Sequence, residues 1–403
     1  MPLLSMLNKS IRLIKRFPFD TILAVGVLVQ TMLFVAIGYE AFSFVTPFLY
    51  YLALAVFCYR MLPPVFRRKP NTAANLRVSV ISIVAIIVII EAGLRLSGSC
   101  LTVQEMRIGK YYSLYFSSNQ EFWLFGQSGT YQLTTSEYDY SRTANSEGFP
   151  DKEWGLEKPD STIRVMAIGD SFTEGDGAHA DSTWLKFLER KTNNRRYEFM
   201  NAGMCGSDPV FGYHNFENKL LKYKPDVVLL AMNCSEQNDL IIRGGFERFR
   251  PDGSVQFRKP PRWECIYAFC YVSRLFFNAL YSEDFVPVWK LDEVKNQYYR
   301  DLHTAIQKFS DLCRSNNIEF VCIAHPIRIE IEKGIRHFDK TKVYCNANNI
   351  HYIDLYSYFA GDTMAGNIAA YYWVSDGHHN ARGYSAMADA IYSGLCEKGL
   401  LRD

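Results

Sequence analysis

The chain has 403 residues, a formal net charge of +2 and 48% hydrophobic residues. This length leaves room for a membrane region together with one large domain or two smaller domains. A nearly balanced charge gives no general attraction to polyanions, so we expect no nucleic-acid partner. The apolar excess lies in the first hundred residues, and we therefore begin there.

Three apolar segments near the N-terminus are predicted to be transmembrane helices, at about residues 21–38, 41–61 and 78–96. A bilayer needs about 20 residues of helix, and the third segment reaches that length only by continuing through Glu91 and Arg95. These two residues are four apart, so they can pair at the interface. The alternative interpretation is that the segments are buried core helices of a soluble domain.

Basic residues flank these segments and predict their orientation. They precede the first segment and fill the link between the second and the third: Lys9, Arg12, Lys15, Arg16, Arg60, Arg67, Arg68, Lys69 and Arg77. Cytoplasmic loops of membrane proteins carry an excess of Lys and Arg, so both clusters should face the cytoplasm. The N-terminus is then cytoplasmic, the protein is membrane-embedded, and everything after about residue 97 is extracytoplasmic.

The rest of the chain alternates between strand and helix patterns after an irregular entry segment at 98–160, which could wrap the domain as edge strands and turns. We predict strands at 163–168, 197–200, 226–232, 318–324 and 350–355, and helices at 182–193, 213–223, 291–316 and 381–400. An insertion at about 244–290 interrupts the alternation. Alternating β and α segments of this size predict an α/β domain over 161–403, with a parallel sheet between two layers of helices.

Nine of the ten cysteines fall in the predicted outer part of the chain. An oxidising compartment permits disulfides, and the pairs Cys265–Cys270 and Cys205–Cys234 are candidates. No pair has the spacing of a structural zinc site with neighbouring histidines, so we expect no metal.

The most informative stretch is residues 165–175, where an apolar run ends abruptly at Gly-Asp-Ser. Ser171 should therefore lie at the C-terminal end of a buried parallel strand, where open α/β sheets bind ligands. Far downstream, Asp376 lies two residues before His378. A serine and an Asp/His pair are the parts of a nucleophilic acyl-transfer site. Taken alone, Gly-Asp-Ser is also a common strand-to-helix turn.

These blocks resemble the SGNH/GDSL hydrolase superfamily, and the likeness covers roughly Arg164 to Leu395. More narrowly, the chain resembles bacterial membrane-anchored members whose catalytic domain follows N-terminal spans. The resemblance implies an α/β fold with a three-layer α/β/α, flavodoxin-like parallel sheet. It makes Ser171 the nucleophile, and it implies no metal and no organic cofactor.

The last block, Asp-Gly-His-His-Asn at 376–380, allows two assignments of the base. Related bacterial members read Asp-Gly-His-x-Asn-x-x-Gly, which makes His378 the base and Asp376 its orienting partner. The Asp-x-x-His form of many other members would make His379 the base. We prefer His378, because its pattern fits the chain without gaps.

The resemblance also implies an oxyanion hole with a backbone N–H from Ser171 and another from a glycine after the second strand. The family glycine lies five residues after an Asn, and counting from Asn201 this is Gly206. Gly203 is the nearer alternative. Either glycine could also serve only to permit a tight turn.

The third oxyanion donor of the family is the side-chain amide of an Asn that usually precedes Asp. Asn238 stands in such a dipeptide but lies a few residues late after the third strand. Asn233 lies closer to the strand and lacks the Asp. We prefer Asn238.

The predicted function is that of a serine esterase or acyl hydrolase acting on an acyl-ester substrate. O-acetyl groups of cell-envelope polysaccharides are the expected target, and acyl chains of lipids are another. One alternative is an O-acyltransferase that uses the same triad to modify a polysaccharide. The other is a non-catalytic glycan-binding or assembly protein on this scaffold. The oligomeric state is left open.

Overall fold

The structure is a computed structural model. It describes residues 48–53, 55–56, 59, 70–100, 128–192, 196–250, 263, 267, 270–281, 286–361, 364 and 366–401. The chain forms two compact units. The first combines Met1–Ser117 with Lys259–Trp289, and the second combines Ser118–Arg258 with Lys290–Asp403.

The first unit contains a helix that is long and apolar enough to cross a membrane. Helix α1 covers Pro70–Leu96, and its apolar part is Ala74–Leu96, of which little is buried. This part includes the predicted third span at 78–96. The predicted spans at 21–38 and most of 41–61 lie outside the described residues, so the multi-pass topology stays a prediction.

A buried carboxylate at the end of α1 holds a second helix of the same unit, α6 (Tyr271–Leu280). Glu91 is fully buried, and its carboxylate accepts hydrogen bonds from the backbone N–H groups of Tyr271 and Val272 at 3.0 and 2.9 Å. The same carboxylate pairs with Arg95 at 2.7 Å. The pairing of Glu91 with Arg95 that the four-residue spacing allows is therefore present. The carboxylate of Glu91 also binds the first N–H groups of α6.

The second unit is built on a five-stranded sheet in which all the strands run parallel. Its strands are β3 (Ile163–Gly169), β4 (Tyr197–Gly203), β5 (Val227–Met232), β6 (Glu319–Ala324) and β7 (His351–Asp354). Their order across the sheet is β4-β3-β5-β6-β7. The chain moves outward from β3 to β4 on one side and then continues from β5 on the other, so the switch point of this flavodoxin-like order lies between β3 and β5. The predicted fold class is confirmed.

Helices cover both faces of the sheet because every central strand is apolar on both sides. In β3, Val165 and Ala167 belong to the core on one face, and Met166 and Ile168 belong to the core on the other. This is the pattern of a parallel sheet buried between two layers. The first face packs against α3 (Trp184–Thr192) and α11 (Ala381–Glu397), and the second against α4 (Pro209–Asn215) and α7 (Leu291–Ser315).

In the second unit, the α-helices that the structure describes from end to end are short except for α7 and α11. They are α2 (Ser171–Glu174), α3 (Trp184–Thr192), α4 (Pro209–Asn215), α5 (Glu236–Arg243), α7 (Leu291–Ser315), α8 (Arg328–Lys333), α9 (Asp339–Ala347), α10 (Tyr356–Phe359) and α11 (Ala381–Glu397). The long predicted helices at 291–316 and 381–400 differ from α7 and α11 only at their C-terminal ends.

Helix α4 begins four residues before the predicted start at residue 213, and its capping explains the difference. The buried side chain of Asp208 accepts hydrogen bonds from the N–H groups of Val210 and Phe211, both at 3.0 Å. Pro209 occupies the first helical position, where a proline is tolerated because no N–H is needed there.

The entry segment, for which edge strands and turns were expected without bounds, contains a hairpin. Strands β1 (Gly129–Thr134) and β2 (Asp139–Ala144) pair antiparallel. We call Gly129–Ala144 the entry hairpin.

The candidate disulfide Cys205–Cys234 is wrong, because both residues are free thiols. The other candidate pair, Cys265–Cys270, is wrong as well, because Cys270 is a free thiol.

Candidate active site

The nucleophile candidate lies at the C-terminal end of β3, on a tight turn into α2. We call residues 169–173 the nucleophile turn. The side chain of Asp170 caps this short helix by accepting a hydrogen bond from the N–H of Phe172 at 3.0 Å. The turn requires glycine at position 169, because a Cβ there would overlap the side chain of Thr173 and lie 2.6 Å from the carbonyl oxygen of Ala231. Ser171 follows this turn and is 8% exposed.

The Asp/His pair lies on a short loop that is closed by its own backbone. The N–H of Trp373 donates to the carbonyl of His378 at 2.8 Å, and the N–H of Gly377 donates back to Trp373 at 3.1 Å. Gly377 has φ +85°, a conformation that glycine adopts without strain. The side chain of Asp376 also accepts a hydrogen bond from the N–H of His378 at 3.2 Å. We call Trp373–His378 the acid–base loop.

The structure brings Ser171, His378 and Asp376 together in one chain of hydrogen bonds. Nε2 of His378 lies 2.7 Å from Oγ of Ser171. Nδ1 of the same ring is bonded to a carboxylate oxygen of Asp376. In a neutral imidazole one nitrogen donates and the other accepts. With the proton on Nδ1, the ring donates to Asp376 and accepts from the serine hydroxyl.

The charges around His378 favour its protonated form. Burial alone would lower the pKa of His378. The hydrogen bond that His378 donates to Asp376 and the negative charges of Asp176, Asp376 and Asp170 more than offset burial, and the pKa of His378 is raised above its ordinary value. These contacts therefore stabilise the imidazolium form of His378.

His379 does not reach the serine, because it is a buried core residue. Its Nδ1 lies 3.1 Å from the carbonyl oxygen of Tyr371, and its ring packs against Phe359 and Tyr372. Burial lowers the pKa of His379 well below the ordinary value. The imidazole beside Ser171 is thus that of His378.

Of the two glycines considered for the oxyanion hole, Gly203 already uses its N–H group in a hydrogen bond within the protein. It is the last residue of β4, and its N–H donates to the side chain of Asn201 at 3.0 Å. A Cβ at this position would overlap the backbone of Thr173 and Glu174, so the strand end packs directly against the nucleophile turn. Gly206 lies three residues later in the loop, with φ +69°, and its predicted role stays open.

The two asparagines after β5 lie in different places. Asn233 is fully buried, and its amide donates to the carboxylate of Asp170 at 2.6 Å, next to the nucleophile. Asn238 lies in α5, and the position of its side chain is outside the described part of the chain. Its role as an oxyanion donor therefore remains a prediction.

Two residues of the entry hairpin, Glu137 and Arg142, also contact this site. Neither was predicted from the sequence. The carboxylate of Glu137 accepts three backbone hydrogen bonds from the acid–base loop. Arg142 binds Asp176 and Glu174, just after the nucleophile turn, at 2.8 and 3.3 Å. These residues lie more than 200 positions before the acid–base loop in a segment of ordinary polar composition, so no local signal identifies them.

One group of possible metal ligands occurs among the described residues, at Cys234, Glu330 and His337, whose ligand atoms lie within 4.8 Å of one another. Protein contacts already occupy the carboxylate of Glu330. It pairs with Nδ1 of His337 at 2.7 Å and accepts a hydrogen bond from the N–H of Ile327 at 3.0 Å. The hydrogen bond from His337 is among the contacts that keep the pKa of Glu330 low despite its burial.

Comparison with family models and with curated proteins finds no match. Among solved structures, the chain is similar to a member of the lipolytic protein G-D-S-L family from Veillonella parvula, with 17% identity and a TM-score of 0.34 over 58% of this chain and 97% of that one. It is similar to the lipase/acylhydrolase from Enterococcus faecalis, with 15% identity and a TM-score of 0.36 over 60% and 98%.

A two-domain esterase active on acetylated mannans is also similar, with 15% identity and a TM-score of 0.36 over 60% of this chain and 51% of that one. Because all three TM-scores lie below 0.5, the function of the site is inferred below from its own geometry.

Proposed function

We propose that the protein is a serine esterase of the SGNH/GDSL type, with Ser171 as nucleophile, His378 as base and Asp376 as the residue that orients the base. One observation carries this proposal: Nε2 of His378 lies 2.7 Å from Oγ of Ser171, while Nδ1 of the same ring is held by Asp376. A serine hydroxyl is a weak nucleophile and needs a base within hydrogen-bond reach.

In the proposed reaction, His378 takes the proton from Ser171 as its oxygen attacks the carbonyl carbon of an ester. The oxyanion that forms is held by the backbone N–H groups of Ser171 and Gly206 and by the side-chain amide of Asn238. Removing one such donor typically costs about 10²–10³ in kcat. The imidazolium then protonates the departing alcohol, and water attacks the acyl-enzyme with His378 again acting as base.

The proposed substrate is an O-acetylated glycan of the cell envelope. This proposal rests on the predicted extracytoplasmic position of the domain and on the resemblance of the Asp-Gly-His block to membrane-linked family members. If a polysaccharide hydroxyl replaces water in the second step, the same triad acts as an O-acyltransferase.

The full-length protein should therefore hydrolyse p-nitrophenyl acetate, and Ser171→Ala should reduce the rate to the buffer background while the protein stays folded. Ser171 lies at a strand end and not in the core, so its loss should not change the circular dichroism spectrum. Activity retained in the purified variant would exclude this nucleophile. Product analysis with an acetylated oligosaccharide, with and without a deacetylated acceptor, separates hydrolysis from transfer.

A further inference from the structure

The entry hairpin carries Glu137, whose carboxylate makes three hydrogen bonds to the acid–base loop. Its strands pair from Gly129 opposite Ala144 to Thr134 opposite Asp139. Its turn is closed by a hydrogen bond from the N–H of Thr135 to the carbonyl of Tyr138 at 2.9 Å. Glu137 lies in this turn, next to Tyr138.

The carboxylate of Glu137 caps three consecutive backbone N–H groups of the acid–base loop. One oxygen accepts from Val374 at 2.8 Å, and the other accepts from Ser375 at 2.9 Å and from Asp376 at 2.8 Å. Hydrogen bonds from backbone N–H groups to a charged acceptor are stronger than neutral ones. Glu137 therefore fixes the backbone of the residue that orients the base.

Tyr138 reaches the same loop with its side chain. Its hydroxyl is hydrogen-bonded to Asp376, and burial followed by the negative charge of Asp376 raises the pKa of Tyr138. Its ring lies 5.6 Å from that of Trp373, measured between centroids. Two adjacent residues of the hairpin turn thus hold Asp376, one through its backbone and one through its carboxylate.

The strands of the hairpin bind the other side of the site, where the nucleophile turn ends. The guanidinium of Arg142 is 2% exposed. It donates to the carboxylate of Asp176 at 2.8 Å and to the carbonyl oxygen of Gly175 at 2.7 Å. The hydroxyl of Tyr131 donates to Glu174 at 2.6 Å. The hairpin consequently links the segment after Ser171 to the loop that carries His378.

We propose that the entry hairpin is a positioning element of the triad, and that Glu137 is the positioning residue through which it fixes Asp376 and, through Asp376, His378. This inference rests on the proposed esterase function. Glu137 does not touch the reacting atoms. It holds the peptide groups on which the Asp376–His378 hydrogen bond depends, and that bond is the main contact that raises the pKa of His378.

The test is Glu137→Gln, with Asp139→Asn as a matched control. Glutamine puts an NH₂ group against at least one of the three N–H donors, so the loop loses part of its cap. Asp139 belongs to the same hairpin, but its carboxylate accepts from Gln132 and Thr134 within the hairpin, at 2.5 and 2.7 Å. The control therefore makes the same chemical change without touching the acid–base loop.

We expect Glu137→Gln to lower kcat for p-nitrophenyl acetate about 10- to 100-fold, since displacements of about 1 Å in a catalytic group can cost 10²-fold. KM should change less than about threefold, because the substrate contacts remain. The acid limb of the pH–rate profile should move to lower pH, because a looser bond to Asp376 raises the pKa of His378 less. Glu137→Asp, which keeps both acceptor oxygens, should recover part of the rate.

The inference is overturned if Glu137→Gln retains the kcat and the acid limb of the wild type, or if Asp139→Asn loses as much activity as Glu137→Gln. A purely structural role would lower the melting temperature without moving the acid limb. If the wild-type protein cleaves no ester, the esterase proposal fails. Titration of His378 by NMR in the wild type and in Glu137→Gln then still tests the positioning role, since an unchanged pKa contradicts it.

Discussion

At the scale of single residues, the environment of His378 determines how activity should depend on pH. Only the neutral imidazole can accept a proton from Ser171. Burial would lower the pKa of His378, but its bond to Asp376 and the nearby carboxylates raise it above the ordinary histidine value of about 6.5. Activity should therefore be lost as the pH falls through a value above about 6.5.

The measurement is kcat/KM for p-nitrophenyl acetate across the neutral pH range. Its pH dependence reports the pKa of the essential base in the free enzyme. An acid limb at or below the ordinary histidine value would contradict the electrostatic account of the site.

Of the two asparagines after β5, Asn233 should affect mainly stability when it is removed, and Asn238 should affect mainly kcat. Asn233→Ala removes the amide that donates to the buried carboxylate of Asp170. Losing this donor should lower the free energy of unfolding by about 1–3 kcal/mol. Asn238→Ala should instead reduce kcat by about 10²–10³, the usual effect of losing an oxyanion donor, with little change in stability.

Denaturant unfolding and kcat measured on both variants test this assignment. If Asn233→Ala reduces kcat by that factor at unchanged stability, while Asn238→Ala retains full activity, then Asn233 is the oxyanion donor and the preference for Asn238 is wrong.

At the scale of elements, the parallel strands could be predicted because each is an apolar run bounded by turn residues. Residues 165–168 are apolar throughout and are buried on both faces, so the strand appears in the sequence without any knowledge of its neighbours. Helix α7 could be predicted for a related reason, since its buried residues recur along one face between polar positions. Ser171 was recognisable because it directly follows such a strand in a known motif pattern. The Asp376/His378 pair was recognisable because its motif pattern lies just before the last helix, α11.

The two strands of the entry hairpin could not be placed from the sequence, because the buried face of the hairpin is not apolar. Tyr131 and Arg142 face each other across its two strands, and both are held by Glu174. Strand prediction depends on alternation of apolar and polar residues, and a buried arginine does not produce that pattern. The contacts of Glu137 depend on a loop more than 230 residues away, which no local pattern contains.

Helices α1 and α6 are joined by hydrogen bonds to the carboxylate of Glu91, so this contact between the two helices should depend on Glu91. Glu91→Ala leaves the N–H groups of Tyr271 and Val272 without their acceptor. Each unpaired buried N–H costs about 1–3 kcal/mol, which corresponds to roughly five- to hundredfold faster amide exchange where exchange occurs by local opening.

Hydrogen exchange measured by mass spectrometry on the full-length protein in detergent checks this expectation for residues 271–280. Glu293→Ala is a suitable control, because Glu293 is an exposed carboxylate in the first turn of α7. Unchanged protection of α6 in Glu91→Ala would show that the helix is held by other contacts.

At the scale of the whole molecule, the apolar N-terminal region and the catalytic residues predict an enzyme that acts outside the cytoplasm. Helix α1 has the length and composition of a membrane span, and the basic residues before it predict that its N-terminal end is cytoplasmic. A reporter fused after Asp403 should then behave as extracytoplasmic, with alkaline phosphatase active and a cytoplasmic reporter inactive. The opposite pattern would overturn the predicted topology while leaving the triad geometry unaffected.

The central claim is that Ser171 is a nucleophile activated by His378, and labelling with a fluorophosphonate tests it most directly. Such a probe phosphonylates an activated serine irrespective of the natural acyl group. Peptide mapping of the labelled full-length protein should place the adduct on Ser171. Labelling should disappear in Ser171→Ala and slow by orders of magnitude in His378→Ala. Folded wild-type protein that takes up no label, or label that maps to another serine and persists in Ser171→Ala, would contradict the account.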